Sequence, residues 1–313
     1  IGTCSVINYN RMQANTLSIL AVSVSLIFGS HACGQQGADT TFMPPLISNY
    51  VHKPGVTIMI DEAHHNFHTA TTGYRLFAKL LTMHGHQVEA GIQPFSGAGL
   101  KDVGILVIAN ALNGLNTRNW ALPTPSAFSP TEINAVKEWV SEGGALLLIA
   151  DHMPFAGAAR DLAGSFGFSF YNGFALDSTD REKFGDVFRR SDGTLGPVDK
   201  LLTEDIDSVA SFTGQAFDIP SGAISLLNLA DHYIILLPQQ AWVFDENTPK
   251  LSASGKSQGA LMQYGKGRIA VFGEAAMFTA QIAGDTKVGM NSKEGSMNSV
   301  LLLAIVKWLN DEP

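Results

Sequence analysis

Cysteine is nearly absent from this sequence, which contains only Cys4 and Cys33 in 313 residues. Both precede the first segment with the pattern of a buried strand, so we expect the folded domain to have no thiol nucleophile and no disulfide. Charged residues are also few, at 15% of the chain, and the formal net charge is −8. Because the sequence lacks clusters of lysine and arginine, it predicts neither nucleic acid nor an anionic membrane surface as a partner.

Motifs for nucleotides and for a serine nucleophile are also missing. No G-x-G-x-x-G opens a helix after the first predicted strand, and Lys250 occupies the position where a P-loop ending at Gly255-Lys256-Ser257 would need glycine. The same stretch matches G-x-S-x-G, but it lies between a polar loop and a hairpin rather than between a strand and a helix. The sequence therefore supports no nucleotide cofactor and no nucleophile elbow.

The apolar run Thr16–Phe28 has the length of a signal-peptide core and is short for a membrane span. Ala32 before Cys33 permits cleavage there, and it also permits lipid attachment at Cys33. We therefore expect residues 1–33 to comprise upstream residues and a signal peptide. The protein would be exported, either to the periplasm or as a lipid-anchored protein of the cell envelope. The alternative is that the run is a buried helix of the fold.

The rest of the chain has the pattern of one α/β domain. Residues 34–54 are polar with two prolines and indicate a tether or a lead-in strand, and residues 55–313 indicate the domain, with an irregular insertion at about 168–240. Continuous apolar runs predict strands buried on both faces, and apolar residues at helical spacing predict helices. The predicted strands are Val56–Ile60, Gln87–Ile92, Asp102–Ala109 and Ala145–Ala150; the helices are Tyr74–Met83, Pro130–Glu142, Ala156–Phe166 and Asn298–Leu309; a hairpin covers Gly259–Gly273. This alternation predicts right-handed crossovers and a mainly parallel sheet.

Polar side chains follow four of these strands. Ligands of open parallel sheets bind outside the carboxyl ends of the strands, so these residues are the candidates for a site. We expect catalytic roles for Asp61, Glu62, Asp151 and His152, and ligand binding by Asn66, Asn110 and Glu274.

Carboxylates together with imidazoles are also the ligand set of zinc and similar divalent ions. The sequence predicts such a metal at Asp61, His64, His68, Asp151, His152 and Glu274, with His64 and His68 on one face if their segment is helical. Each residue has a structural alternative as well. Asp61 and Asp151 can cap a following helix, Glu274 can cap a turn, and the histidines can be surface residues.

Four segments resemble exported proteins of the class I glutamine amidotransferase-like superfamily, in particular periplasmic domains associated with gliding-motility and ABC-type systems and trehalose-utilisation-like proteins. The segments are DEAHHNFHT, VGILVIAN, WVSEGGALLLIADHMPFAGAA and GRIAVFGEAAMFTAQ, and the resemblance covers roughly residues 55 to 310. It implies a three-layer flavodoxin-like sandwich with a mainly parallel doubly wound sheet and a C-terminal β-hairpin plus helix. No catalytic residue carries over, because those amidotransferases use a cysteine after a central strand, where this chain has Asn110 and Asp151.

Two functions of different classes remain open. One is a metal-assisted hydrolase that uses the strand-end Asp, His and Glu cluster. The other is a non-catalytic binding module of the cell envelope, which would hold a small polar ligand such as a sugar or dock a protein partner. A common coordination point within about 2.0 to 2.3 Å of several donor atoms would favour the first. Scattered carboxylates that each cap a helix would favour the second.

Overall fold

A computed structural model describes residues 36–51, 55–179, 185–197 and 206–310. The predicted signal peptide and Cys33 lie outside the described residues. Within the described part, no helix combines the length and the apolar character that are needed to cross a membrane.

The described elements alternate between strands and helices in the first half of the chain and are mainly strands in the second. The strands are β1 (Gln36–Ala38), β2 (Thr57–Asp61), β3 (Gln87–Gly91), β4 (Ile105–Ala109), β5 (Ala145–Ile149), β6 (Ser169–Phe170), β7 (Phe174–Asp177), β8 (Asp186–Arg189), β9 (Ser208–Ser211), β10 (Phe217–Asp218), β11 (Ile224–Asn228), β12 (Tyr233–Leu236), β13 (Lys250–Ser252), β14 (Ser257–Tyr264), β15 (Gly267–Phe272), β16 (Ala280–Ala283) and β17 (Thr286–Gly289). The α-helices are α1 (Arg75–Met83), α2 (Gly97–Leu100), α3 (Pro130–Ser141), α4 (Phe155–Ser165) and α5 (Asn298–Asn310), and short 3-10 turns cover Ser48–Tyr50, Gly114–Asn116, Arg190–Asp192 and Ala276–Phe278.

The large sheet has a parallel half with the strand order β3-β2-β4-β5-β15. Counted along the chain, these five strands stand in the order 2-1-3-4-5, which is that of flavodoxin-like folds. The strand β14 continues the sheet antiparallel to β15, and β10, β6 and β11 extend it further. The order reverses between β2 and β4, and open sheets of this kind generally bind ligands at the carboxyl ends of the two strands where the order reverses.

Helices cover both faces of the parallel half. One hydrophobic core contains α1 and α5, for example Phe77 and Leu302, and the other contains α3 and α4, for example Val136 and Leu162. Along β4, alternate side chains enter one core and the other, as a strand buried on both faces requires. The three-layer α/β sandwich with its hairpin and final helix is therefore confirmed.

The N-terminal segment that the sequence indicates as a tether or a lead-in strand packs onto the domain. Strand β1 pairs antiparallel with β16. The buried carboxylate of Asp39 accepts hydrogen bonds from the Thr41 amide at 2.9 Å and from the Asn291 side chain at 3.0 Å. The lead-in strand is thus the better description of residues 36–38. The irregular segment at 168–240 contributes β6 to β12 where it is described.

Candidate functional site

The candidate site lies at the carboxyl ends of β2, β4, β5 and β15, which are neighbours in the sheet. The sequence-predicted residues fall into two groups there. Asp61 ends β2 and is followed by His64 and Asn66, while Asp151, His152 and Glu274 lie after β5 and β15. Asn110, after β4, stands between the two groups.

In the first group, the imidazole of His64 lies between two carboxylates. Its Nδ1 is 2.9 and 3.0 Å from the two oxygens of Asp61, and its Nε2 is 2.8 Å from Oε1 of Glu132. The ring packs against Phe95 and Phe128, each with a centroid distance of 4.7 Å. Since a neutral imidazole has one N–H, both short contacts can be hydrogen bonds only when His64 is protonated.

The pKa values of this group agree with that charge state. Burial lowers the pKa of His64, but the hydrogen bonds and charges of Asp61 and Glu132 outweigh it and raise the value above 6.5. Burial alone would raise the pKa of Glu132, yet hydrogen bonds from Ser129, His64 and the Phe95 amide lower it to about 2. The group is therefore an ion triad in which every charged atom already has a partner.

The loop after β2 is not helical, so His64 and His68 do not share a helix face. The carboxylate of Asp61 accepts the Ala63 amide at 3.1 Å, which favours a turn over a helix. The Phe67 amide donates to the Asn110 carbonyl, and the Leu112 amide donates to the His64 carbonyl. These hydrogen bonds hold the loop against the segment after β4. They take the place of the bonds within the loop that a helix would have.

In the second group, hydrogen bonds to Asn110 and His152 hold Asp151 in place. Its amide donates to Oδ1 of Asn110 at 2.9 Å, and its carboxylate accepts the His152 amide at 2.7 Å. Asn110 adopts a left-handed conformation with φ of 51°, which places its side chain across the sheet edge. The position of Asp151 therefore depends on a neighbouring strand rather than on a helix that it caps.

Glu274 is fully buried, and both of its carboxylate oxygens bind backbone amides. They accept hydrogen bonds from Ala276 and Met277, at 2.7 Å each. The carboxylate thus caps the 3-10 turn Ala276–Phe278, which is the structural alternative that the sequence left open.

Asp151 and Glu274 form a coupled carboxyl pair. Burial raises the pKa of Asp151 in spite of the nearby His152 and the amides that it accepts. Burial and the charge of Asp151 raise the pKa of Glu274 well above its ordinary value. The buried Tyr74 hydroxyl donates to the Ala275 carbonyl, and burial with these two carboxyl groups raises its pKa too. Like charges in one buried place favour a state in which the pair shares a proton.

His152 lies within a ring of aromatic side chains. Its Nδ1 is 2.6 Å from the Met153 carbonyl, so Nδ1 carries the proton. Its Nε2 has no hydrogen-bond partner in the described part of the chain, and His152 as a whole is 6% exposed. The surrounding side chains, which we call the aromatic rim, are Phe67, Trp120, Phe155, Phe174 and Trp242.

The aromatic rim is open to solvent at two points. The side chains of Phe67 and Trp242 are 51% and 54% exposed. Trp242 also has a positive φ of 67°, which is a strained conformation for a bulky residue. Trp242 and Phe174 meet the His152 ring at centroid distances of 4.7 and 4.4 Å. The rim thus presents aromatic surface beside one unoccupied imidazole nitrogen.

Two predicted residues lie apart from both groups. Glu62 accepts the Ala70 amide at 2.9 Å. His68 is buried with its ring stacked on Tyr74 at 4.9 Å, and burial lowers its pKa to about 4. Its Nδ1 faces Gly73 and has no hydrogen-bond partner among the described residues.

The six predicted metal ligands do not converge on one point. Among the described residues, no three His, Cys, Asp or Glu side chains are grouped as a metal site would require. Moreover, the oxygens of Glu274 bind amides, and both nitrogens of His64 face carboxylates. This donor set does not fit a divalent ion in this arrangement.

The sequence did not reveal Glu132 or the aromatic rim as parts of the site. Ser129 and Glu132 form a capping box at the start of α3, and an S-x-x-E pattern is visible in the sequence. The contact of Glu132 with His64, however, joins residues that are far apart in the chain. The rim residues come from five separate segments, so no periodic pattern marks them.

Neither protein-family models nor curated protein sequences match this chain. Solved structures do match, at low sequence identity. The mmIFT52 N-terminal domain aligns with 81% of this chain and 97% of its own, at 15% identity and a TM-score of 0.57.

Two further structures align less closely. A protein from Bacteroides uniformis described as ThuA-like covers 86% of this chain and 95% of its own, and the cytoplasmic protein STM1381 from Salmonella typhimurium covers 82% and 100%. Both have 12% identity and a TM-score of 0.48, so neither adds to the assignment. The likeness to the mmIFT52 domain shows the α/β fold alone, and membership of the amidotransferase-like superfamily stays a prediction.

Proposed function

We propose that this protein binds a small polar ligand with an apolar face, and that a sugar is the ligand class its side chains fit best. The observation that carries this proposal is the pairing of His152 with the exposed Trp242 in the aromatic rim. A sugar ring has a face of C–H groups and an edge of hydroxyl groups. Aromatic surface covers the first, and a fixed hydrogen-bonding atom selects the second.

His152 supplies such an atom. Because Nδ1 donates to the Met153 carbonyl, Nε2 of the neutral ring is an acceptor for a ligand hydroxyl. The stacking of the ring on Phe174, with an interplanar angle of 13°, fixes its orientation. A site whose polar group is held before the ligand arrives loses less entropy on binding.

Binding has more support than metal-assisted hydrolysis. The carboxylates of Asp61 and Glu274, which the hydrolase would use, are engaged with His64 and with backbone amides. Their arrangement serves to hold the loops that carry the rim and His152. Export to the periplasm and a lipid anchor at Cys33 stay predictions of the sequence.

Isothermal titration calorimetry with glucose, galactose, maltose and cellobiose tests the proposal. We expect saturable binding of at least one of them by the wild-type protein. Loss of stacking in Trp242→Ala should weaken that binding by about tenfold, which corresponds to about 1.4 kcal/mol. Trp242→Phe should retain most of the affinity.

Trp308→Phe is the matched control, because Trp308 lies on α5, at the opposite face of the sheet, beside Arg268. It should bind as the wild type does. Absence of binding to all four sugars, or equal affinity in Trp242→Ala and the wild type, would show that the rim is not a sugar site.

A further inference from the structure

A concave surface distinct from the aromatic rim lies against α4. It is a shallow cavity, wide open to solvent, of about 460 Å³ and lined by Leu122, Pro123, Thr124, Pro125 and Arg160. None of the five rim residues lines it. The cavity is therefore a separate candidate for binding.

The loop that forms one wall is held in place by a buried amide. The side-chain nitrogen of Asn116 donates to the carbonyls of Asn119, Ala121 and Pro123 at 3.0, 3.1 and 3.2 Å. The Leu122 amide donates in turn to the Gln239 carbonyl at 2.9 Å. The wall is thus preorganised by polar contacts behind it, and its apolar side chains are left to face the cavity.

A glycine lets this loop lie on the helix. A Cβ atom at Gly157 would come within 2.0 Å of the Thr124 hydroxyl oxygen. The side chain of Asn172 joins the two, since it accepts the Gly157 amide at 2.8 Å and donates to the Thr124 hydroxyl at 2.9 Å. Arg160 follows Gly157 by three positions on α4, so it lies on the same helix face, beside the loop.

Arg160 brings an uncompensated charge to this cavity. It is exposed, and it forms no ion pair or hydrogen bond with any other described residue. The other lining residues include no carboxylate, and the adjacent Asp161 points to a different side of the helix. In a chain with a net charge of −8, the cavity thus joins a guanidinium that pairs with no described residue to a surface of leucine and proline.

We propose that this cavity binds a small organic anion. The guanidinium of Arg160 would pair with its carboxylate or phosphate, which match the planar fork of donors. The apolar body of the anion would lie on Leu122, Pro123 and Pro125. The proposal does not depend on sugar binding at the rim, because the two sites use different side chains.

Simple aromatic probes test the site. Amide shifts in two-dimensional NMR spectra are followed while benzoate, phenyl phosphate or neutral benzamide is added at millimolar concentration. We expect saturable shifts at Leu122, Thr124 and Arg160 with an anion, and about tenfold weaker binding of benzamide. The two anions show which oxyanion the cavity prefers.

Arg160→Gln should weaken anion binding to the level of benzamide. It should leave folding unchanged, since the side chain is exposed. Arg75→Gln removes the same charge from α1, at the opposite face of the sheet, and should bind both anions like the wild type. The proposal is overturned if neither anion binds the wild type, if benzamide binds equally well, or if Arg160→Gln retains the anion affinity.

Discussion

Nε2 of His64 lies 2.8 Å from Oε1 of Glu132, a residue 68 positions later in the chain. This contact joins the loop after β2 to the first turn of α3. The opposite ring nitrogen binds Asp61, so the same imidazole also holds the loop to its own strand. The loop carries Phe67 of the aromatic rim, and its geometry therefore depends on the ion triad.

Removal of the imidazole should destabilise the protein. In His64→Ala the fully buried Asp61 loses its cation, and we expect the free energy of unfolding to fall by about 3 kcal/mol. Urea denaturation of the variant and the wild type measures this change. His232→Ala is a control, since His232 is 43% exposed and 3.7 Å from Asp177. It should change the stability by less than about 0.5 kcal/mol. Equal effects of the two substitutions would mean that the triad does not stabilise the fold.

The triad should also give the stability a defined pH dependence. The pKa of His64 is raised above 6.5, so its contribution is complete below that pH and is lost as the pH rises through the folded-state value. The pKa of Glu132 is lowered from 4.5 to about 2, so its contribution is complete above pH 4.5 and is lost as the pH falls towards 2. The difference in unfolding free energy between the wild type and His64→Gln should peak between these limits. A difference that does not change with pH would contradict the charge assignment.

Two glycines of α4 should respond oppositely to alanine. A methyl group at Gly157 would meet Thr124, and the overpacking should cost about 1 to 3 kcal/mol. Nothing lies within 4 Å of a Cβ at Gly164, where alanine should stabilise the helix by about 0.5 to 1 kcal/mol. Thermal unfolding of both variants measures the two effects. Stabilisation by both substitutions would show that the loop does not rest on the helix as described.

The coupling between Asp151 and Glu274 predicts that a change at one carboxyl group alters the pKa of the other. The charge of Asp151 contributes to the raised pKa of Glu274, so the pKa of Glu274 should fall in Asp151→Asn. Carbon-13 NMR of labelled glutamate side chains follows that carboxyl group directly. Asp218→Asn, which removes a charge that pairs with Lys256, should leave the Glu274 titration as in the wild type. An unshifted Glu274 titration in Asp151→Asn would show that the two carboxyl groups are not coupled.

Local sequence patterns predicted most of the parallel half of the fold. The continuous apolar run at Ile105–Ala109 indicated a strand with two buried faces, and all five residues are buried. Ser129 and Pro130 predicted the start of α3, which begins at Pro130. Such signals depend on neighbours in the chain, so they can be read without the fold.

The segment after β2 shows where such reasoning is insufficient. Its histidines would share a face in a helix, but backbone bonds to Asn110 and Leu112 hold it as a loop. Those partners lie in the segment after β4, and no spacing within the segment after β2 reveals them. For the same reason, the sequence identified Glu274 as a strand-end carboxylate without showing that both its oxygens are used by backbone amides.

The sequence by itself determined the α/β class and the placement of polar residues at the ends of the parallel strands, because hydrophobic periodicity and strand direction are local properties. Only the tertiary structure decided how those residues are used. It placed His64 between two carboxylates, and it surrounded His152 with Trp120, Phe174 and Trp242. These contacts join segments that are distant in the chain, and their geometry is fixed when the layers pack together.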